Sequence, residues 1–441
     1  MNTGTAGTSP GREVSRPATA PRTNYRYKVM LFLGGMIFVN YIDRFNIAAA
    51  VPTLMKEFAL SPARMGLLMS AFGWTYLVCM FPVGHLLNRK PPKIIGFFAC
   101  LGWGLVTLFT AAVSGFYSFF FVRLLLGATE AAGFPTCARI SSDWTPKHER
   151  TTAVAIFDVF SNIGSAVTPP FVVWTILHYG WRYSFVVTGV IAVGFAFIWR
   201  RYYHAPEDNP KLSKEELEYI RKGQVTDATQ AVDVKEIPMY KLLTYPRILS
   251  MCCGFFLYMY FSTAFHMWIP AYLVHAKGFS LQSMGIVYTF PFFATVGFEL
   301  IGARCLDRWM RRGASLTRVR RTGQFIGYFG MGTCLYLAVI AASPTMTVFW
   351  LTASFGVKAI SGAQNWATTT EIAPKGQVGA VAALNSMSSA LALIVAPVIS
   401  GLVIQSRWGY DGALLVMVGA AVLAGIIYGS IDYKPIVPRP S

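Results

Sequence analysis

The 441-residue chain is 54% hydrophobic and 13% charged, against roughly 25% charged in a soluble globular protein. That leaves too little charge to cover a soluble surface, so much of this surface faces lipid. A formal charge of +18 on a soluble protein would suggest nucleic acid. Here the Lys and Arg are scattered between apolar runs rather than gathered on one face, which excludes that partner.

Residues 1–24 are rich in Thr, Ser, Pro, Gly and Ala and hold no apolar h-region, so they read as a disordered cytoplasmic tail rather than a signal peptide. Twelve apolar runs follow, at roughly 28–50, 65–87, 94–113, 117–138, 151–176, 182–200, 248–274, 281–303, 322–342, 346–372, 377–404 and 410–430. Each is expected to be a spanning helix, because lipid offers no partner to unpaired backbone groups. Span 1 carries Tyr41, Asp43 and Arg44; span 2 carries Tyr76 and runs into a loop, Gly84 to Lys93, with Asn88 and Arg89. Span 4 carries Arg123 and Glu130, and span 5 carries Ser161, Asn162 and the pair Pro169-Pro170. A linker, 201–247, divides an N-terminal six-helix bundle (25–200) from a C-terminal one (248–432), and a short tail (433–441) ends the chain. Within the linker, Ser213-Lys214-Glu215-Glu216 reads as a capping box opening an amphipathic helix through about Lys222. Span 7 holds His266 and Pro270, and span 8 holds Pro291 and Glu299. After span 8, the cluster from Gly302 through Asp307 and Arg308 to Arg312 echoes the one after span 2, an internal repeat of the transporter kind. Span 10 holds Lys358, Asn365 and Trp366; span 11 holds Asn385, Ser386 and Pro397. The prolines predict helix breaks or kinks.

Thirty of the 38 Lys and Arg fall beside the two termini and the even-numbered loops, and five fall in the odd-numbered loops. This asymmetry places both termini in the cytoplasm. The seven Cys lie in or at the ends of apolar segments without metal or disulfide spacing, so they read as small buried hydrophobes.

The remaining Lys and Arg, and several acids, lie inside spans. A charge at bilayer depth costs roughly 2.5–3.5 kcal/mol on insertion scales and needs a partner or water. Asp43 and Arg123 sit at depths that agree within about 3 Å at 1.5 Å per residue, so they meet if spans 1 and 4 are neighbours. Glu130 lies two turns from Arg123 on the same face. Two readings stand: a proton-coupling device, in which Arg123 pairs with one acid while the other takes up a proton, or a static ion network. Arg44 points about 100° away from Asp43 and suits an anion facing a central cavity. Glu299 and Lys358 either pair within the second half or face water near the ends, and His266 reads as a packing histidine.

The run Asn40-Tyr41-Ile42-Asp43-Arg44, the segment from Gly84 to Arg89, the stretch from Arg123 through Glu130 to Pro135, and the run from Gly180 to Phe185 together resemble the major facilitator superfamily. Within it they resemble the anion:cation symporters, or phthalate permease family, over roughly residues 25–432. Members take up galactonate, glucarate, hexuronates, tartrate, phthalate and similar carboxylates with protons. The resemblance implies an all-α protein of two six-helix bundles rocking around a central site, in an inner membrane. It implies that Asp43 and Glu130 titrate protons and that Arg123 pairs with them. Arg44, Tyr41 and Tyr76 match cavity residues that grip substrate, and Trp366 with Asn365 matches a second-half cavity position. The chain departs at Asn88, where the loop motif usually has Asp, and at Ala303, where the second copy usually has Gly. Ser161 stands where sugar-acid carriers place Gln and Ser386 where they place Asn, with Asn162 and Asn385 adjacent, which suggests a substrate with fewer hydroxyls.

The resulting expectation is proton-coupled uptake of a small organic anion by a monomer in a lipid bilayer, with an exchanger or exporter of the same fold as the alternative. No cofactor is expected. A membrane enzyme is disfavoured because no metal triad, nucleophile with a base, or phosphate loop is present. A sensor is disfavoured because the linker is too short for an ordinary output domain.

Overall fold

The computed structural model describes residues 23–146, 149–224, 237–374, 377–434 and 436. Most of the expected N-terminal tail, the middle of the linker and most of the C-terminal tail lie outside the described residues. The elements are all helical in the chain order α1 (Tyr25–Glu57), α2 (Pro62–Arg89), α3 (Pro92–Thr110), α4 (Phe116–Glu130), α5 (Gly133–Trp144), α6 (Arg150–Tyr179), α7 (Trp181–Tyr202) and α8 (Lys214–Lys222). These are followed by α9 (Met239–Leu242), α10 (Pro246–His275), α11 (Leu281–Val287), α12 (Phe290–Arg311), α13 (Leu316–Ile340), α14 (Pro344–Ile372), α15 (Val378–Gln405) and α16 (Gly409–Ser430).

Helices occupy all twelve segments read as spans. Among the described residues, nine helical segments are long and apolar enough to cross a membrane. The helices outside those nine include α1, α4 and α14, which carry Asp43, Arg44, Arg123, Glu130 and Lys358. In α1 and α14 these side chains dilute the hydropathy of their own helices, whereas α4, at 15 residues, is too short by itself to cross. Large apolar side chains such as Phe98, Phe121, Phe197, Leu300 and Ile426 stand exposed on the outer faces, an arrangement stable only where lipid solvates them. The chain is a multi-pass membrane protein.

Local chemistry sets the helix ends. Ser61 accepts from the Arg64 N–H with Pro62 in the first turn, and Ser343 accepts from the Met346 N–H with Pro344 in the first turn, each an N-cap followed by a proline whose missing N–H costs nothing there. Gly180, at φ 89°, makes the turn between α6 and α7 that a side chain would strain.

The expected spans 4 and 8 are each broken. The fourth separates into α4 and α5 immediately after Glu130, and the eighth separates into α11 and α12 just before Pro291. Pro169, Pro170, Pro270 and Pro397 instead sit inside helices that continue through them. The segment from Gly84 to Arg89, read as a loop, is the last turn and a half of α2, and Asp307 and Arg308 likewise belong to α12. All five of Gly84, Asn88, Arg89, Asp307 and Arg308 are exposed. Polar helix ends reach past the apolar core in a way hydropathy alone does not register.

In the first half α1 packs on α6 and α7, α2 on α4, and α3 on α4 and α7; in the second, α10 packs on α15 and α16, α13 on α14 and α16, and α12 on α14. Across the seam, α2 meets α15, α1 meets α10, and α6 meets α11 and α12. Small residues permit the closest approaches: a Cβ on Gly66 would strike the Pro397 carbonyl, and one on Gly401 the Pro62 carbonyl. One buried cluster mixes both halves, joining Ile47, Val51, Met65, Met69 and Val172 to Met267, Trp268, Ala271 and Ile404. Its members sit toward the α1 C-terminus and the α2 N-terminus, the end read as outer from the charge count.

The linker helix α8 spans the predicted residues, but its cap is only half the expected box. The Glu216 N–H donates to Ser213 Oγ at 3.2 Å, while the Glu216 carboxylate reaches to α1 instead of back to Ser213. There it accepts from the Tyr25 and Arg26 N–H groups (3.0 and 3.1 Å), from the Thr23 hydroxyl (2.7 Å) and from Arg26 Nη1 (2.9 Å). A carboxylate on exposed helix-terminal N–H groups is a favoured arrangement. Arg26 also binds Glu149 through Nε and Nη2 (2.6 and 3.0 Å), and the Tyr219 hydroxyl donates to Glu149 at 2.9 Å. Burial pushes the Glu149 carboxyl up, but the hydrogen bonds from Arg26 and Tyr219 outweigh it and hold the group below its ordinary range.

Candidate functional site

Four ionisable side chains from α1 and α4 gather in the first half: Asp43, Arg123 and Glu130, which are buried, and Arg44, which is partly buried. Their pairing differs from the expected one. Arg44, not Arg123, holds Glu130: its Nε and Nη2 donate to the same Glu130 oxygen at 3.1 and 3.0 Å. Asp43 accepts from the Thr107 hydroxyl of α3 at 2.5 Å, and its other oxygen has no hydrogen-bond partner. Among the described residues, Nε and Nη2 of Arg123 have no hydrogen-bond partner. The fields of Glu130, Arg123 and Arg44 all reach Asp43, so the four act as one electrostatic unit. Two acids and two guanidinium groups balance in charge, and a proton on either acid gives the cluster a net positive charge. Arg123 and Glu130 both lie buried along α4; the choice of partner is decided by where α1 and α3 pack.

Arg44 sits in an aromatic cage. Its guanidinium carbon lies 5.0 Å from the Phe72 ring centroid, 5.3 Å from Tyr76 and 5.7 Å from Tyr41. Arg123 lies 5.2 Å from the same Phe72 ring. Both cations therefore share one aromatic ring. Gly127 lets α4 approach α2 closely enough for this: a Cβ there would strike the Phe72 carbonyl and Thr75 Oγ1.

The other expected site residues divide into two groups. Ser161 and Asn162 lie on α6 beside Asp158, the Ser161 hydroxyl donating to the Asp158 carbonyl at 2.7 Å and the Asn162 amide to that carbonyl at 3.0 Å. Trp366 is half exposed, edge-on to Phe255 with centroids 5.6 Å apart. Asn365, by contrast, is fully buried, its Oδ1 accepting from Gln324 at 2.9 Å and from the Tyr328 hydroxyl at 3.1 Å. Asn385 is also buried and donates to Thr369 at 3.3 Å, and Ser386 donates to the Ala382 carbonyl at 2.9 Å. Lys358 donates to Ser262 Oγ at 3.0 Å and lies 3.9 Å over the Phe355 ring. His266 bonds the Ser262 carbonyl at 2.6 Å and stacks on Phe45 of α1 at 4.5 Å.

The residues that the sequence did not single out include Phe72, Thr107, Asn40 and Asp158. Phe72 and Thr107 carry no signal in an apolar run. Asn40 lies within a quoted motif, one turn from Arg44, and its buried amide lies against Glu130. Asp158 was findable: it is an acid inside span 5, and the rule that singles out charges at bilayer depth applies to it equally.

The family model of the major facilitator superfamily matches residues 33–367. The chain is 29% identical over 419 residues to a D-galactonate transporter of Escherichia coli O6:H1, covering 92% of this chain and 95% of that one. It is 31% identical over 420 residues to the "Probable galactarate/D-glucarate transporter GarP" of E. coli K12, covering 91% and 94%. It is 27% identical over 419 residues to the "Probable sulfoacetate transporter SauU" of Cupriavidus necator, covering 94% and 95%. These relatives are all named as transporters. Among solved structures, a bacterial homologue of the human lysosomal transporter Spinster in an inward-facing, unoccupied conformation superposes with a TM-score of 0.73 at 16% identity, covering 93% of this chain and 97% of that one, a likeness of fold. The chain belongs to the major facilitator superfamily.

Proposed function

We propose that this protein is a secondary active carrier that takes up a small organic anion with protons by alternating access. In this reading all twelve segments cross the membrane, both termini are cytoplasmic, and residues 25–200 and 248–432 form two bundles that rock as units. The protein works as a monomer in an inner membrane. The observation that carries the reading is the Arg44–Glu130 pair: a guanidinium in an aromatic cage, held by a fully buried carboxylate.

The chemistry is a competition for Arg44. While Glu130 is ionised it occupies the guanidinium fork. A proton on Glu130 weakens that bond and frees the fork for a substrate carboxylate or sulfonate, which it suits geometrically. Anion and proton therefore load together. Asp43 and Arg123 complete the balance, since Arg123 has unmatched donors within reach of both acids' fields. Charge also demands coupling: moving one negative charge inward against the membrane potential costs about 2.3 kcal/mol per 100 mV, which a co-transported proton offsets. The relatives named for galactonate, galactarate/glucarate and sulfoacetate carry substrates of one chemistry, small and anionic, and support this class. The closed packing at the end read as outer supports a state open to the cytoplasm.

The test uses proteoliposomes with galactonate, glucarate and sulfoacetate as probes. Glu130→Gln and Asp43→Asn abolish uptake driven by a pH gradient, while counterflow exchange of the same probe partly survives. Full pH-driven uptake by both variants would overturn the coupling roles. A thermal-shift panel of carboxylates and sulfonates names the substrate, because stabilisation tracks occupancy.

A further inference from the structure

A second group of charges lies where the two halves meet. Asp158 of α6 and Glu299 of α12 stand carboxyl to carboxyl, within hydrogen-bonding contact. The helices that carry them pack across the seam. Asp158 is exposed there and Glu299 half-buried, so the pair is not sealed inside the protein. Asn162 steadies the first acid, its amide 3.4 Å from Asp158 Oδ2. From α14, Lys358 adds a buried ammonium whose field reaches both acids. The other titratable groups facing the pair are Tyr41 from α1 and Tyr258 from α10, and His266 of α10 faces Lys358.

An ionised carboxylate only accepts hydrogen bonds, so two carboxyls in contact need a proton between them to bond at all. Both ionised, they repel at short range, and with Lys358 they leave a net charge of −1 among apolar helices. One shared proton removes the repulsion and brings the trio to neutrality. A net charge at that depth is costly, and coupled acids of this kind titrate as a pair rather than singly.

We propose that Asp158 and Glu299 form a second proton-binding site, one proton shared between two carboxyls across the seam, with Lys358 as the balancing charge. The proton is exchangeable with water on the exposed Asp158 side. The site itself stands on this geometry; its use in transport rests on the alternating-access reading. On that reading, parting α6 from α12 breaks the carboxyl–carboxyl bond and releases the proton, so domain movement and proton release become one event. The carrier then moves a proton additional to the one that competes for Arg44.

Infrared difference spectroscopy of purified protein in lipid nanodiscs tests the site without any substrate. Spectra of wild type are compared with D158N and with E299Q at neutral pH, in H2O and D2O. Wild type minus either variant should contain the same single protonated-carboxyl carbonyl band, shifted by deuterium. If neither difference contains it, or only one does, no proton is shared and the proposal fails. Should an amide variant not purify, E299D keeps the acid but shortens its reach, and its protonated-carboxyl band should shift in frequency. A band unmoved in E299D overturns the proposal equally. D43N and E130Q report on the first site through pH-driven uptake, so failure of one site is distinguishable from failure of the other.

Discussion

Replacing Glu216 with Gln should release the linker helix from the first half while leaving the rest of the fold intact. Each carboxylate oxygen of Glu216 serves two donors: Oε1 takes the Arg26 N–H and Arg26 Nη1, and Oε2 takes the Tyr25 N–H and the Thr23 hydroxyl. A Gln amide keeps one oxygen and presents an NH2 to the other pair of donors, so two bonds are lost and replaced by donor-to-donor contacts. Hydrogen bonds to a charged group contribute about 1.5–3 kcal/mol each, and Arg26 retains Glu149, so a net loss of about 3 kcal/mol follows. Glu216→Ala, which removes one partner of a buried ion pair outright, costs about 3–5 kcal/mol. At tenfold per 1.4 kcal/mol, the Gln variant raises the undocked population of α8 by roughly a hundredfold. Brief trypsin treatment reads this directly, since Lys211, Lys214, Arg221 and Lys222 all lie in or beside α8. Where opening is fast relative to cleavage, the cutting rate tracks that population. Glu218→Gln is the control: Glu218 pairs with Lys222 on the exposed face, and such pairs contribute little, so its cutting rate stays at the wild-type level. A Glu216→Gln protein cut no faster than wild type would refute the docking role of the carboxylate.

The same latch has an acid limb. Because the Glu149 carboxyl is held below its ordinary range, its contribution is fully present above the unfolded value near about 4.3 and is lost as pH falls through the lowered folded value. Hydrogen exchange of the α8 amides, corrected for intrinsic rate, should therefore accelerate below about pH 4, and Glu149→Gln should remove that part of the pH dependence. Asn365→Ala deprives Gln324 and Tyr328 of their shared acceptor, at about 1–3 kcal/mol for a buried donor left unmatched. Its melting temperature should fall with no anion present; a loss confined to ligand-induced stabilisation would assign Asn365 to substrate instead. Gly66→Leu drives a side chain into the Pro397 carbonyl. It should oppose the closed packing between α2 and α15 by about 1–3 kcal/mol. Labelling from outside of a cysteine placed at the buried Ser400, in a background lacking the other cysteines, should rise about tenfold, and unchanged labelling would show that this contact does not hold the seam shut.

How much was legible in the sequence follows from what each signal measures. Lipid imposes helices on any apolar run, so the positions of the twelve helical segments, the linker helix from Lys214 to Lys222 and the membrane class could be read directly. The high cost of charge at bilayer depth likewise singled out Asp43, Arg44, Arg123 and Glu130, and depth arithmetic put Asp43 and Arg123 at one level. Which acid meets which guanidinium could not be read, because depth along a helix says nothing of its rotation or of the third helix beside it. Thr107 of α3 takes Asp43 and Arg44 takes Glu130 only because α1, α3 and α4 converge in space. The cage of Phe72 and Tyr76 around Arg44 depends in the same way on α2 reaching α4 over Gly127. Asp158 and Glu299 lie 141 residues apart in the chain, with nothing local to join them, and only the packing of α6 against α12 makes them a pair. Composition and periodicity report solvation, which acts on each segment alone; the pairing of charges depends on how helices are rotated and packed together, which tertiary structure alone decides.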